Sequence, residues 1–123
     1  MRSSGGRQAA KTELDINALV GTWTNTYRAT NWINRFTIVE DNGVARIHAY
    51  SVGEPHDWGE TEITPYSDSS GELAFHAVYD LESVQSVLAA NKTKGIIVIA
   101  AYHKFKDGAM RQNLFCREFY FRE

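Results

Sequence analysis

The stretch INRFTIVEDNGVARIHAYSV, residues 33–52, carries the most direct information on the fold. Its centre, Asp41-Asn42-Gly43, is a strong β-hairpin signal because Asn and Gly tolerate the positive φ angles of tight turns. Apolar and polar residues alternate in both arms; in the second arm, Ile47 and Ala49 alternate with Arg46, His48 and Tyr50. This period of two predicts a pair of antiparallel strands with one face in a core.

Turn signals recur along the rest of the chain at the spacing of about 8–12 residues that is typical of antiparallel β proteins. A short helical turn capped by Asp15 or Asn17 precedes the first strand. Hairpins joined in sequence leave two long edges unless the sheet closes. We therefore predict an all-β domain, a small antiparallel up-and-down β-barrel of seven or eight strands. The predicted strands span residues 20–27, 33–40, 44–52, 60–66, 72–79, 94–105 and 110–122.

Residues 80–92, DLESVQSVLAANK, are the ambiguous segment. Leu81, Val84 and Leu88 have helical spacing, and Asp80 is placed to cap a helix. A short helix over 80–92 is therefore the first interpretation. A strand over 84–90 is the alternative, because valine is a weak helix former and favours strands.

Composition limits the classes of protein to which the chain can belong. The 123 residues are 43% hydrophobic and carry a formal net charge of −2, which fits one globular domain and argues against nucleic acid as a partner. The longest apolar run, 96–102, is far short of the roughly 20 residues of a spanning helix, so no membrane association is predicted. Cys116 is the single cysteine and excludes an internal disulfide.

The domain boundaries follow from the same composition. Residues 1–12 are small, polar and weakly basic without an apolar core, so they predict a disordered N-terminal arm rather than a secretory signal. Residues 13–123 are predicted to form the single barrel domain. A cytoplasmic location is the corresponding expectation.

The sequence Leu19-Val20-Gly21-Thr22-Trp23, followed by hairpins to the C-terminus, resembles the calycin group of lipocalins, fatty-acid-binding proteins and avidins. The resemblance implies that Trp23 plugs one end of the barrel, against Arg117 or Arg122 from a late strand. A large amphipathic ring can close a small barrel provided that its N–H finds a partner.

Residues 21–25 are similar to a local motif of avidins, and Asn25 matches an asparagine that helps bind the ureido group of biotin there. Ala29 stands where avidins carry a serine, and Tyr50-Ser51 only approximates their Tyr-x-Ser. The late tryptophans that sandwich biotin have no counterpart in residues 105–123. Biotin is therefore not the expected ligand.

An eight-stranded barrel encloses either packed side chains or one small ligand. Alternation places an aromatic, mostly apolar set inside, a composition typical of small-molecule sites. The function predicted first is therefore binding of a small apolar or aromatic molecule. The alternatives are a small-barrel enzyme of the cyclase or isomerase type and a structural or partner-binding barrel with a filled interior.

Two sets of residues follow from this prediction. The residues predicted to point inward are Trp23, Asn25, Tyr27, Phe36, Ile38, Ile47, Ile63, Phe75, Tyr79, Phe115, Phe119 and Phe121. The ligand-binding candidates are Asn25, Tyr27, Phe36, Trp58, Phe75, Tyr79, Phe115, Arg117 and Phe119.

Candidate catalytic groups are few. His103 shares a face with apolar residues near a barrel mouth and is interpreted as an acid/base, a haem ligand or a hydrogen-bonded rim residue. In the segment 56–60, Trp58 is a candidate lid, and Asp57 or Glu60 would polarise a ligand unless both are solvated turn residues. Cys116 is expected to be packed and inert. No histidine pair has metal-clip spacing, so neither a metal nor a cofactor is predicted.

The strand around residues 96–102 is apolar on both faces, which a barrel strand with one face in water should not be. Either the 80–92 helix or a second subunit must cover its outer face. We predict a homodimer or higher oligomer formed through this strand.

Overall fold

The computed structural model describes residues 15–106 and 112–123. A short 3-10 turn at Ile16–Leu19 leads into a sheet of nine strands, all within these ranges. The predicted disordered arm, residues 1–12, lies outside the described residues. The strands are β1 Gly21–Asn25, β2 Ile33–Asp41, β3 Val44–Ser51, β4 Asp57–Glu62, β5 Thr64–Ser67, β6 Leu73–Asp80, β7 Val84–Thr93, β8 Ile96–Phe105 and β9 Leu114–Arg122.

The nine strands form one antiparallel sheet in the order β4-β3-β2-β1-β9-β8-β7-β6-β5. The two ends of this sheet, β4 and β5, are consecutive pieces of chain with only Ile63 between them. One piece pairs with β3 and the other with β6, so the bend at Ile63 closes the sheet almost completely. The prediction of an antiparallel up-and-down barrel is confirmed, and the architecture is compatible with a calycin-like fold.

Two details of the predicted fold are wrong. The described sheet has nine strands rather than seven or eight, because residues 84–93 form a strand and the predicted strand 60–66 is divided at Ile63 between β4 and β5. The preferred helix over 80–92 is strand β7, which pairs along its length with β6 and β8. Residues four apart share a face both in a helix and in a strand, so the spacing of Val84 and Leu88 does not distinguish the two.

Trp23 plugs the lower end of the barrel, the end at which the 3-10 turn lies. Its side chain is fully buried and its indole N–H donates to the Leu19 carbonyl at 2.9 Å. The Arg122 guanidinium lies 4.6 Å from the centre of the indole ring and donates to the Ala18 carbonyl. Gly21 has a φ of +137°, and a Cβ there would lie 3.5 Å from Arg122. Glycine at this position therefore suits both the backbone and the close approach of the arginine.

Most of the predicted interior is observed, but the face assigned to β9 is wrong. Phe115, Phe119 and Phe121 are 53%, 41% and 40% exposed and lie on the outside, as does Tyr27, which follows β1. The inward positions of β9 are occupied by Cys116, Glu118 and Tyr120. The larger apolar residues therefore stand on the outer face, opposite to what size and hydrophobicity suggested. The buried members of the predicted set are Trp23, Asn25, Phe36, Ile38, Ile47, Ile63, Phe75 and Tyr79.

The described helical content is limited to the 3-10 turn, so no helix in this part of the chain is long and apolar enough to cross a bilayer. It follows also that no described helix covers the outer face of β8.

Candidate binding site at the upper end of the barrel

The upper end of the barrel, opposite the Trp23 plug, is where most of the polar side chains in the interior meet. The described connections 26–32, 52–56 and 81–83 all lie at this end because β1, β3 and β6 run toward it. His103 is near the end of β8 and is only 1% exposed. The expectation that this histidine faces inward near a barrel mouth is therefore confirmed.

His103 has a neighbour at each ring nitrogen. Nδ1 is hydrogen-bonded to the Ser86 hydroxyl at 2.7 Å, and Nε2 is 3.6 Å from the Cys116 sulfur. Burial lowers the pKa of His103 to about 4. At neutral pH the imidazole is therefore uncharged, with one nitrogen protonated and the other an acceptor.

The order Ser86–His103–Cys116 is also the order of orienting group, base and nucleophile in thiol enzymes. Burial raises the pKa of the Cys116 thiol to about 11, with a further contribution from the charge of Glu118. A nucleophilic cysteine needs surroundings that lower its pKa. These surroundings raise it, so the thiol is a packed neutral group, in keeping with the sequence expectation.

Aromatic rings enclose His103. The Trp32 indole stacks on the imidazole with ring centres 4.2 Å apart and an angle of 16° between the planes. Trp58 meets the imidazole edge-on at 6.3 Å and is itself anchored by a hydrogen bond from its N–H to the Pro55 carbonyl at 3.1 Å. Phe105, two residues beyond His103 on β8, lies 6.0 Å from Trp32. The Trp32 ring therefore occupies a flat slot whose floor is the imidazole.

A carboxylate lies beside this slot. Glu118 Oε1 accepts hydrogen bonds from the Asn25 side-chain amide at 3.0 Å and from the Thr30 hydroxyl at 2.9 Å. Asn25 also donates to the Ile33 carbonyl at 3.0 Å, which ties the start of β2 to β1. Both donors are buried and the carboxylate is half-buried, so it is held in a fixed position next to the aromatic slot.

The space left inside the upper end is small. A cavity of about 10 Å³ remains beneath Trp32, which is room for about one water molecule. A larger molecule does not fit in this cavity unless a lining side chain moves. The cavity is lined by Trp32, Ile33, Ile99, Ala101, His103, Cys116, Glu118 and Tyr120.

The structure brings three of the predicted site residues to the upper end: Asn25, Trp58 and His103. The Tyr79 hydroxyl lies within hydrogen-bond distance of one carbonyl on β3 and one on β4, while Phe36 and Phe75 fill the core. Tyr27, Phe115, Arg117 and Phe119 lie on the outside, away from the interior in which the sequence placed them.

The two candidate carboxylates of the 56–60 segment also lie on the outside. Asp57 is exposed and its carboxylate lies 2.5 Å from Nε2 of His48 on the neighbouring strand. Glu60 is exposed and is the cross-strand partner of His48. Because strand residues alternate between faces, the burial of Trp58 directs Asp57 away from the interior. Neither carboxylate is near His103.

Sequence reasoning did not select Trp32, Ser86 and Glu118. Trp32 lies just before a strand and belongs to no alternating or turn pattern in the sequence. Only its large aromatic side chain could have suggested it as a site residue. Ser86 and Glu118 are polar residues in strands and are ordinarily assigned to the solvent face. Knowledge of the pairing between β7 and β8 would have identified Ser86, because Ser86 is the direct cross-strand partner of His103.

Comparison with known protein families, with curated proteins and with solved structures finds no match. Among the described residues, no group of three His, Cys, Asp or Glu side chains is arranged to hold a metal ion.

Proposed function

We propose that this protein binds a small planar aromatic molecule in the slot above His103, with Trp32 as a movable lid. The observation that carries the proposal is the parallel stacking of the Trp32 indole on a buried imidazole at 4.2 Å. A flat ring that replaces the indole would meet the same floor and the same edge-on contact from Trp58. Stacked and edge-on contacts of this kind favour planar rings.

The polar groups beside the slot define the chemistry of the ligand more closely. Glu118 offers a carboxylate, an acceptor-only group, at the edge of the cavity. His103 is neutral at pH 7 because its pKa is about 4. A ligand with a flat ring and a hydroxyl or N–H donor therefore suits the slot better than an anionic one, which Glu118 would repel.

Trp32 is suited to act as a lid. It belongs to the connection between β1 and β2 and is half-buried, whereas Trp23 and Trp58 are buried. Its backbone is fixed, since its amide is bonded to Thr30 and its carbonyl to Val52. Within residues 15–106 and 112–123 its indole N–H has no hydrogen-bond partner. A rotation of the side chain would thus break ring contacts but no hydrogen bond.

Binding is favoured over covalent catalysis by the same surroundings. The imidazole is a weak base with a pKa of about 4, and the thiol beside it has a pKa of about 11. A general base works best with a pKa near the working pH. These two groups are therefore better suited to shaping a site than to transferring protons at neutral pH.

A barrel with a filled interior that binds only other proteins is the second candidate function. The observation in its favour is the water-sized cavity beneath Trp32. It differs from the first proposal in one respect: the Trp32 side chain would stay in place whatever small molecule is offered.

Naphthol and its saturated counterpart decahydronaphthol separate the two candidates. Both carry one hydroxyl, but only naphthol is flat. We expect the wild-type protein to bind naphthol in calorimetric titrations and decahydronaphthol at least about tenfold more weakly. Trp32→Ala should bind naphthol about tenfold more tightly, because the competing indole is gone and the open state no longer has to be populated first.

Tyr66→Ala, a change at an exposed aromatic on the outside, serves as the control and should bind naphthol as the wild type does. Absence of binding to the wild-type protein, or equal binding of the flat and the puckered alcohol, would overturn the proposal and leave the filled barrel.

A further inference from the structure

The outer surface of the barrel is polar on one side and apolar on the other. On β2 and β3 most of the outward residues are polar, as in the cross-strand pairs Arg35 with Tyr50 and Thr37 with His48. On β8 and β9 the outward positions are mostly apolar, and several large side chains there are 40–55% exposed. The exposed group is Tyr102, Phe115, Phe119 and Phe121.

These side chains form a ridge along β9 and the adjoining end of β8. The rings of Tyr102 and Phe115 contact one another with centres 5.0 Å apart, and the two residues are cross-strand partners. Phe119 and Phe121 lie on the same face of β9, beyond Arg117, since strand residues two apart share a face.

A hollow lies next to the ridge. Its floor consists of three small residues, Ala74, Ala89 and Ala100, on β6, β7 and β8. His76 pairs with Ala89, Ala89 with Ala100, and Ala100 with Arg117, so one row of side chains crosses four strands. The hollow has a volume of about 510 Å³ and is open to the outside.

We infer that this face binds a second copy of the chain, with the aromatic ridge of each copy inserted into the alanine-floored hollow of the other. A two-fold axis near Ala89 and Ala100 would place each β9 over β6 of the second copy. Ridge and hollow lie side by side on one face, which is the arrangement that a self-complementary two-fold interface requires. The inference does not depend on the proposed function.

Charge distribution supports the same arrangement. Arg117 stands at one end of the hollow and Asp68 at the other, and both line it. The two-fold operation exchanges the ends, so the guanidinium of each copy would come toward the carboxylate of the other. Opposite charges brought together in this way select the partner and the register of an interface.

The exposed apolar area is of the right size. A fully exposed aromatic side chain offers about 150–250 Å². The four ridge aromatics, at 40–55% exposure, contribute roughly 400 Å² per copy. That is about half of the ~800 Å² that each partner buries in a standard interface, and the walls and floor of the hollow add to it.

Sedimentation velocity on the full chain tests the inference. We expect a dimer at micromolar concentration for the wild type. Ala89→Glu, which places a charge on the floor of the hollow, should give a monomer, whereas Val39→Glu on the polar side should remain dimeric. Val39 is a matched control because it is also an outward, exposed strand residue.

The position of the axis is tested by a cysteine. Ala100→Cys should form an intermolecular disulfide under mild oxidation and Val39→Cys should not, because residue 100, unlike residue 39, lies near the two-fold axis. A monomeric wild type, or a dimer that survives Ala89→Glu and does not cross-link through residue 100, would overturn the inference.

Discussion

His103 shows how the interior of the barrel sets the state of a single residue. The ring is enclosed by Trp32 and Trp58, and its nitrogens face Ser86 and Cys116 rather than water. Neither of these hydrogen-bonding neighbours carries a charge that would stabilise an imidazolium. Desolvation therefore determines the pKa, and the folded protein holds the histidine neutral.

The lowered pKa of His103 predicts a dependence of stability on pH. The folded pKa is about 4 and the ordinary value is 6.5, so between these values the unfolded chain binds a proton that the folded chain does not. The free energy of unfolding should consequently fall as the pH is lowered from about 7 to 4, by up to ~3 kcal/mol from this group.

Urea unfolding of the wild type and His103→Gln across that pH range measures this contribution. The difference in the free energy of unfolding between the two proteins should change with pH below about 6.5 and be constant above it. Parallel pH profiles over the whole range would contradict the assignment of a neutral His103.

Among the elements, β2 and β3 were predictable because alternation and turn chemistry agree there. In β9 every position from Leu114 to Cys116 and from Phe119 to Phe121 is apolar, so hydrophobicity does not say which set faces inward. In β7 the buried Ser86 interrupts the apolar alternation, which left Val84 and Leu88 as the visible pattern. Pairing with the neighbouring strands decides which face of such a segment points inward. The sequence of a single segment does not specify that pairing.

The seam between β6 and the bent β4–β5 segment is the element on which closure of the barrel depends. The Tyr79 hydroxyl from β6 accepts from the Ala49 amide and lies within hydrogen-bond distance of the Ile47 and Gly59 carbonyls, at 2.8–3.0 Å. Thr61 donates across the same seam to the Val78 carbonyl at 3.3 Å. Burial raises the pKa of Tyr79, so the hydroxyl keeps its proton and stays a donor.

Tyr79→Phe should therefore lower the free energy of unfolding by about 2 kcal/mol, because it leaves buried backbone groups without their partner. Tyr66→Phe, at an exposed tyrosine on the adjacent strand, is the control and should change it by less than about 0.5 kcal/mol. Urea denaturation gives both values. A loss no larger for Tyr79→Phe than for Tyr66→Phe would show that the seam does not depend on this hydroxyl.

At the scale of the whole molecule, sequence reasoning predicted the barrel and the Trp23 plug but only part of the site. Asn25, Trp58 and His103 were selected because each belongs to a recognisable strand or turn pattern. Trp32 and Glu118 come together with them only because the barrel closes between β1 and β9, which brings the 26–32 connection over His103. The contact between Glu118 and the 26–32 connection joins residues about 90 positions apart, so local periodicity in the sequence does not predict it.

We propose that the nearly closed barrel, plugged by Trp23 at its lower end, admits a flat ring beside His103 in place of Trp32. The three tryptophans give three indole N–H signals in a proton–nitrogen NMR spectrum, and each reports on a different part of the barrel. On titration with naphthol we expect the Trp32 signal to shift most, the Trp58 signal to shift less and the Trp23 signal to stay in place. A Trp32 signal that does not move at saturating naphthol, or a Trp23 signal that moves with it, would overturn the proposed exchange of the indole for a ligand.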